Sequence, residues 1–149
     1  MKKDIVAGLG EIGFPIYKII SQNSIVQGYD KNPDLIPKSK KNLENYSVRF
    51  LHICIPYNSK FIQNVIELNK KFLPESIVIH STIKPQTTKN IQKKLNIPII
   101  YSATRGVHRR MINDLKRYTK FFALDEKIPN SKSISRQYAN LMRKSGIKT

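Results

Sequence analysis

A chain of 149 residues with 27 Lys and Arg against 10 Asp and Glu carries a formal charge of +17, and its length fits one domain. With 40% hydrophobic and 25% charged residues it has material for a core, which excludes wholesale disorder, and six Gly and eight Pro are too few for a low-complexity linker. The lone Cys54 forms no internal disulfide, Met1 to Asp4 lead into no signal-peptide core, and no apolar run nears the ~20 residues that span a bilayer, so a soluble protein of the reducing cytoplasm is expected, with no membrane partner.

In chain order, an apolar run at Ile5 to Leu9 reads as a strand, followed by helical spacing of apolar residues over Glu11 to Ser21 and a second strand at Ile25 to Tyr29. A modest helix around Asp34 to Tyr46, weakened by Pro37, leads to a strand at Phe50 to Ile55 and a helix at Phe61 to Phe72. Then come a strand at Ile77 to His80, a helix at Thr87 to Leu95, a strand at Ile97 to Tyr101, a helix at Val107 to Arg117, a strand at Phe121 to Leu124 and a helix at Ile134 to Lys144. Gly146 caps that last helix, and Ile147 to Thr149 begins another strand. Strands alternating with helices are the pattern of a parallel sheet covered on both faces. The interval from Asp30 to Phe50 has no room for a further strand and its crossover, so the third strand is expected directly beside the first.

Gly8-Leu9-Gly10-Glu11-Ile12-Gly13 follows the first strand and opens the first helix. In that setting the three glycines serve a tight turn, close approach of a pyrophosphate, and close packing of helix on strand, while the helix N-terminus offers free N–H groups. Asp30 ends the second strand roughly 20 residues later, where an acid accepts bonds from the ribose hydroxyls of NAD. The competing reading of Asp30 is a cap for the helix after Asn32-Pro33. The expected architecture is a Rossmann-like α/β fold: three layers, a doubly wound parallel sheet of about six strands in the order 2-1-3-4-5-6, occupying residues 1–149 as one dinucleotide-binding domain.

The run Gly8 to Pro15, with Tyr29-Asp30-Lys31-Asn32-Pro33, resembles the cofactor domain of the nucleotide-sugar dehydrogenases of the UDP-glucose and GDP-mannose type, relatives of the beta-hydroxyacid dehydrogenases. Cys54-Ile55-Pro56 is similar to that family's C-x-P strand end, and Ser81-Thr82-Ile83-Lys84-Pro85-Gln86-Thr87-Thr88 to its S-T-V-x-P-G-T-T loop. The resemblance implies an NAD-binding domain of an oxidoreductase. It implies Gly8, Gly10, Glu11, Ile12, Gly13, Asp30, Lys31, Ile55 and Pro56 around NAD, and Thr82 beside the nicotinamide ribose. Ser102 to Arg109 departs from the family: Thr104 and His108 stand where its S-P-E-x-x-x-E-G loop carries acids. The family's nucleophilic cysteine and catalytic lysine belong to later domains, which leaves this chain as a cofactor domain without them.

His108 is the remaining acid–base candidate, beside Arg105, Arg109 and Arg110 at a strand's C-terminal end. Its competing reading is a solvent-facing histidine. Arg105 and Arg109 are candidates to hold a substrate anion such as a nucleotide-sugar phosphate, or else are surface charge. His52 and His80 read as satisfied core or edge histidines, Cys54 as a buried strand thiol, and no Cys, His or acid spacing supports zinc. Three functions follow in order: part of an NAD-dependent oxidoreductase whose site a homodimer or a separate catalytic chain completes; a non-catalytic NAD-binding or regulatory module; and a basic nucleic-acid binder, motivated by charge alone.

Overall fold

The alternation of side chains along each strand decides the layering. In the computed structural model, which describes residues 1–38 and 42–149, β1 (Lys2–Ala7), β2 (Val26–Tyr29), β3 (Ser47–Ile53), β4 (Ser76–Ile79) and β5 (Ile99–Tyr101) form one parallel sheet in the order β2-β1-β3-β4-β5. Val6, Phe50, Val78 and Ile100 point to one face, where α1 (Gly13–Ile20), α4 (Met111–Arg117) and α5 (Ser131–Lys144) bury Ile16, Leu115 and Tyr138 against them. Ile5, Leu51, Ile77 and Ile99 point to the other, under α2 (Phe61–Phe72) and α3 (Thr87–Gln92). Both faces are covered, which is why the strands read as nearly unbroken apolar runs.

A slip in register between β1 and β3 brings an ion pair into this core. Arg49 donates to both carboxylate oxygens of fully buried Asp4, at 3.0 and 2.6 Å, and the Phe50 N–H reaches the same carboxylate at 3.3 Å. The buried charge is therefore paired and hydrogen-bonded, as burial requires.

The predicted sheet order holds for five strands, and the third strand does lie beside the first. The sixth strand does not form. Phe121 to Leu124 contributes one isolated antiparallel bridge, Tyr101 with Ala123. The reason is where the chain re-enters. The Ser102 hydroxyl donates to the Phe121 carbonyl at 3.0 Å, so the segment meets β5 at the end where β5 finished and can only run backwards.

The helix expected at Asp34 to Tyr46 is also absent from the described residues, and 39–41 lie outside them. Asn32 caps a single 3₁₀ turn, Pro33–Leu35, and Pro37 has no N–H to bond the Pro33 carbonyl as a helix would need. Helix α3 stops three residues short of Leu95, and the Gln92 side chain reaches forward to donate to the carbonyls of Leu95 and Ile97 in the turn that follows. The run from Val107 opens as a 3₁₀ turn at His108–Arg110 before α4 begins. Gly146, in a left-handed conformation, ends α5 with the Ile147 N–H bonded back to Met142. Ile147 to Thr149 forms no strand, although the Lys148 carbonyl accepts from the Lys120 N–H at 2.8 Å. Among the described residues no helix is long and apolar enough to cross a membrane.

Candidate dinucleotide site

The glycine-rich turn joins β1 to α1 at the carboxyl edge of the sheet, beside the switch point where β2 and β3 leave in opposite directions. Each glycine answers a different constraint. Gly8 has φ +89°, and a Cβ there would press on the Cys54 carbonyl at 2.8 Å. A Cβ on Gly13 would overlap the Gly8 carbonyl, so α1 can sit this close to β1 only with hydrogen at that position. Gly10 differs: a Cβ there meets nothing within 4 Å. Nothing in the fold demands glycine at Gly10, yet the space above it is open and adjoins backbone N–H groups at Gly10, Glu11 and Ile12 that have no partner among the described residues. That is the cradle a pyrophosphate needs, and a side chain would fill it.

Asp30 is half-buried at the end of β2. One carboxylate oxygen accepts the Leu9 N–H at 2.7 Å and the other the Asn32 N–H at 2.9 Å, so this acid ties the glycine-rich turn to the end of β2. The helix cap weighed for it belongs to Asn32 instead, whose side chain accepts from the Asp34 N–H. A carboxylate has about four lone-pair directions, so two backbone bonds leave capacity for ribose hydroxyls. Beyond Asp30 lies a cavity of about 480 Å³ lined by Gly8, Tyr29, Asp30 and Lys31, by Ile55 and Pro56 after β3, and by the near face of α2.

Of the residues singled out in the sequence, Gly8, Asp30, Lys31, Ile55 and Pro56 line one cavity, while Gly10, Glu11 and Ile12 lead from Gly8 into α1, which Gly13 opens. Thr82 is exposed just beyond β4, next to Ser81, whose hydroxyl donates to the Ile55 carbonyl at 2.6 Å. His108 and Glu11 approach to 3.6 Å, both largely exposed, so the loop after β5 reaches over the glycine-rich turn. Arg105 lies with its guanidinium 5.5 Å from the Tyr118 ring, and Arg109 is exposed. Among the described residues no three His, Cys, Asp or Glu side chains gather as a metal would need.

Sequence reasoning missed Lys120. The residue is 5% exposed, and its ammonium donates to the carbonyls of Ser102 at 2.7 Å and Ala103 at 3.2 Å and to the Thr104 hydroxyl at 3.1 Å. Burial pulls its pKa down to about 8, opposed by Cys54. The signal was a cation set immediately before the apolar stretch Phe121 to Leu124. Next to it His52 and His80 share a hydrogen bond of 2.9 Å, while His52 Nε2 and His80 Nδ1 find no partner among the described residues. Burial pushes His52 down to about 4 and His80 well below the ordinary value, with Lys120 adding to both. Burial likewise pushes the Cys54 thiol up to about 12, so it is no nucleophile at neutral pH.

No protein-family model matches the chain, and no curated protein does. Solved structures do. The UDP-N-acetyl-mannosamine dehydrogenase Cap5O from Staphylococcus aureus superimposes on 94% of this chain with a TM-score of 0.71 at 16% identity, using 45% of its own length. A putative 2-dehydropantoate 2-reductase from Enterococcus faecalis superimposes on 99% of this chain with a TM-score of 0.62 at 13% identity, using 56% of its length. The chain has the Rossmann-type fold. It spans about half the length of these two proteins.

Proposed function

We propose that this chain binds NAD(H) and serves as the cofactor domain of a dehydrogenase acting on a nucleotide sugar or a related anionic substrate. The observation that carries the reading is the open space over Gly10, bordered by unpartnered N–H groups and leading to Asp30. When bound, NAD supplies the acceptor for a hydride. The protein's share is to hold it: the Gly10 to Ile12 backbone on the pyrophosphate, Asp30 on a ribose diol, Ile55 and Pro56 against the adenosine, and Thr82 at the nicotinamide ribose. Asp30 favours NAD over NADP, because a carboxylate accepts from a free hydroxyl and repels a phosphate in its place. His108 is the proposed base and Arg105 and Arg109 the proposed anion contacts, with a second copy or a separate chain closing the substrate side.

A second reading, a non-catalytic NAD-binding module, draws on Thr104: its hydroxyl is engaged by Lys120 where the resembled loop has an acid. Following NADH formation over UDP- and GDP-sugars and beta-hydroxyacids distinguishes the two, since only the dehydrogenase loses turnover with His108→Ala. Calorimetric titration tests the shared claim. NAD is expected to bind more tightly than NADP, and Gly10→Val is expected to fold normally and bind neither; unchanged affinity in that variant would make the turn a turn and nothing more.

A further inference from the structure

Four residues of α2 recur at helical spacing on the wall of the Asp30 cavity: Asn64, Glu67, Leu68 and Lys71. Their exposure has a cause in the fold. The β2–β3 connection supplies no α-helix among the described residues, so Tyr29 is faced by the side of α2, with the Lys71 ammonium 4.3 Å from its ring centroid and Phe72 edge-on to it. The cavity that Asp30 lines is thus bounded by apolar Ile55, Pro56 and Leu68 and by the polar side chains of α2, and Gly10 is not among its lining residues. Among the described residues the Asn64 side chain makes no hydrogen bond, and Glu67 spends one oxygen on Gln63, at 3.0 Å, leaving the other free.

We propose that Asn64 and Glu67 read the 6-amino edge of adenine, making the site selective for adenine dinucleotides over their 6-oxopurine counterparts. The inference rests on the cofactor reading above and goes beyond it to the base. With the pyrophosphate at Gly10 and the ribose at Asp30, the base is the part of the dinucleotide that remains to fill the cavity's far end. An amide pairs with adenine by accepting from the 6-amino group and donating to a ring nitrogen. Asn64 alone does not discriminate, since its amide turns over to donate to a 6-oxo group just as well. Glu67 does. An ionised carboxylate only accepts, so it accepts a hydrogen bond from the amino group of adenine and meets the oxygen of hypoxanthine as an uncompensated repulsion.

The test is calorimetric titration of the full chain with NAD and with nicotinamide hypoxanthine dinucleotide, which differs only at that edge. The hypoxanthine analogue is expected to bind about tenfold more weakly, in line with one charge-assisted hydrogen bond lost and an acceptor left facing an acceptor. Glu67→Gln, whose amide can donate, is expected to bring the two affinities within about twofold. Equal affinities in the parent protein overturn the adenine assignment and leave the cofactor reading standing. A gap that persists in both Glu67→Gln and Asn64→Ala overturns it too, by placing the discrimination elsewhere. Failure of both dinucleotides to bind overturns the cofactor reading itself. Since both side chains border solvent, neither substitution threatens the fold.

Discussion

Acidification from pH 7 to pH 5 should unload a measurable part of the stability of this fold through the His52–His80 pair. Both rings are fully buried, and Lys120 stands close enough to disfavour a second positive charge. Asp4 pulls the other way on His52, with Arg49 opposing it, and the Ser102 backbone pulls the other way on His80. The folded chain holds His52 near 4, whereas an unfolded chain titrates at about 6.5. A lowered folded value means that the unfolded chain binds the extra proton first. Stability is therefore full above pH 6.5 and drains as pH falls toward 4. At pH 5 the unfolded site is almost wholly protonated and the folded one about a tenth so, which integrates to about 2 kcal/mol for His52, with His80 adding in the same direction. Urea unfolding followed by far-ultraviolet circular dichroism at pH 7, 6 and 5 gives the slope directly. The control is His52→Leu combined with His80→Leu, which removes both titrating rings and both unpartnered nitrogens while keeping the space filled. The parent protein should lose about 2 kcal/mol or more beyond what the double variant loses. Equal losses would refute the reasoning, because every other acid-titrating group is common to the two.

Two further expectations concern the framework of the site. Gly13→Ala should cost about 3 kcal/mol or more in urea unfolding, since the new methyl collides with the Gly8 carbonyl and only displacement of α1 relieves it; a loss under about 1 kcal/mol would contradict the packing described. Asp4→Ala should cost about 3 kcal/mol at pH 7 by stranding Arg49 and the Phe50 N–H at the sheet's centre, and Asp4→Ala with Arg49→Met should recover part of it, whereas a double variant no better than the single would argue against pairing as the cause.

The glycine-rich turn and its tie to Asp30 were legible because their demands are local. Three glycines, an apolar strand before them and an acid at the end of the next strand are fixed by short-range sterics, and the chain wrote all of them within its first thirty residues. The shortened link after Asp30 likewise predicted the β2-β1-β3 neighbourhood by simple reach. What failed was decided at a distance. Phe121 to Leu124 has the composition of a strand, but its direction depends on where Ser102 meets Phe121, and no local pattern encodes that meeting. Asp34 to Tyr46 shows the opposite error: the interval has room for a helix, but Pro37, noted as a weakness, lacks the N–H that would carry one past the 3₁₀ turn. Lys120 was overlooked because one cation on an apolar flank looks like surface charge until three oxygen acceptors are seen to converge on it. His52 and His80 are core histidines, one of the two places read for them, but they are not satisfied as expected: adjacent strands pair them with each other and leave one nitrogen of each without a partner among the described residues.

The Asp30 carboxylate has a consequence for anyone who would re-engineer cofactor choice. Swapping the acid at the end of β2 for a neutral or basic residue is the obvious route toward a 2′-phosphate, and in most reasoning it touches the ligand alone. Here the same oxygen that would greet a ribose also fastens the Leu9 amide, and its twin fastens Asn32. On the proposed assignment, cofactor preference and the order of the turn would rest on one side chain. A switched variant would meet its new cofactor with a slackened turn, so selectivity would change hands at the cost of affinity for both dinucleotides, and restoring a hydrogen-bond acceptor for the Leu9 amide would have to be part of the same design.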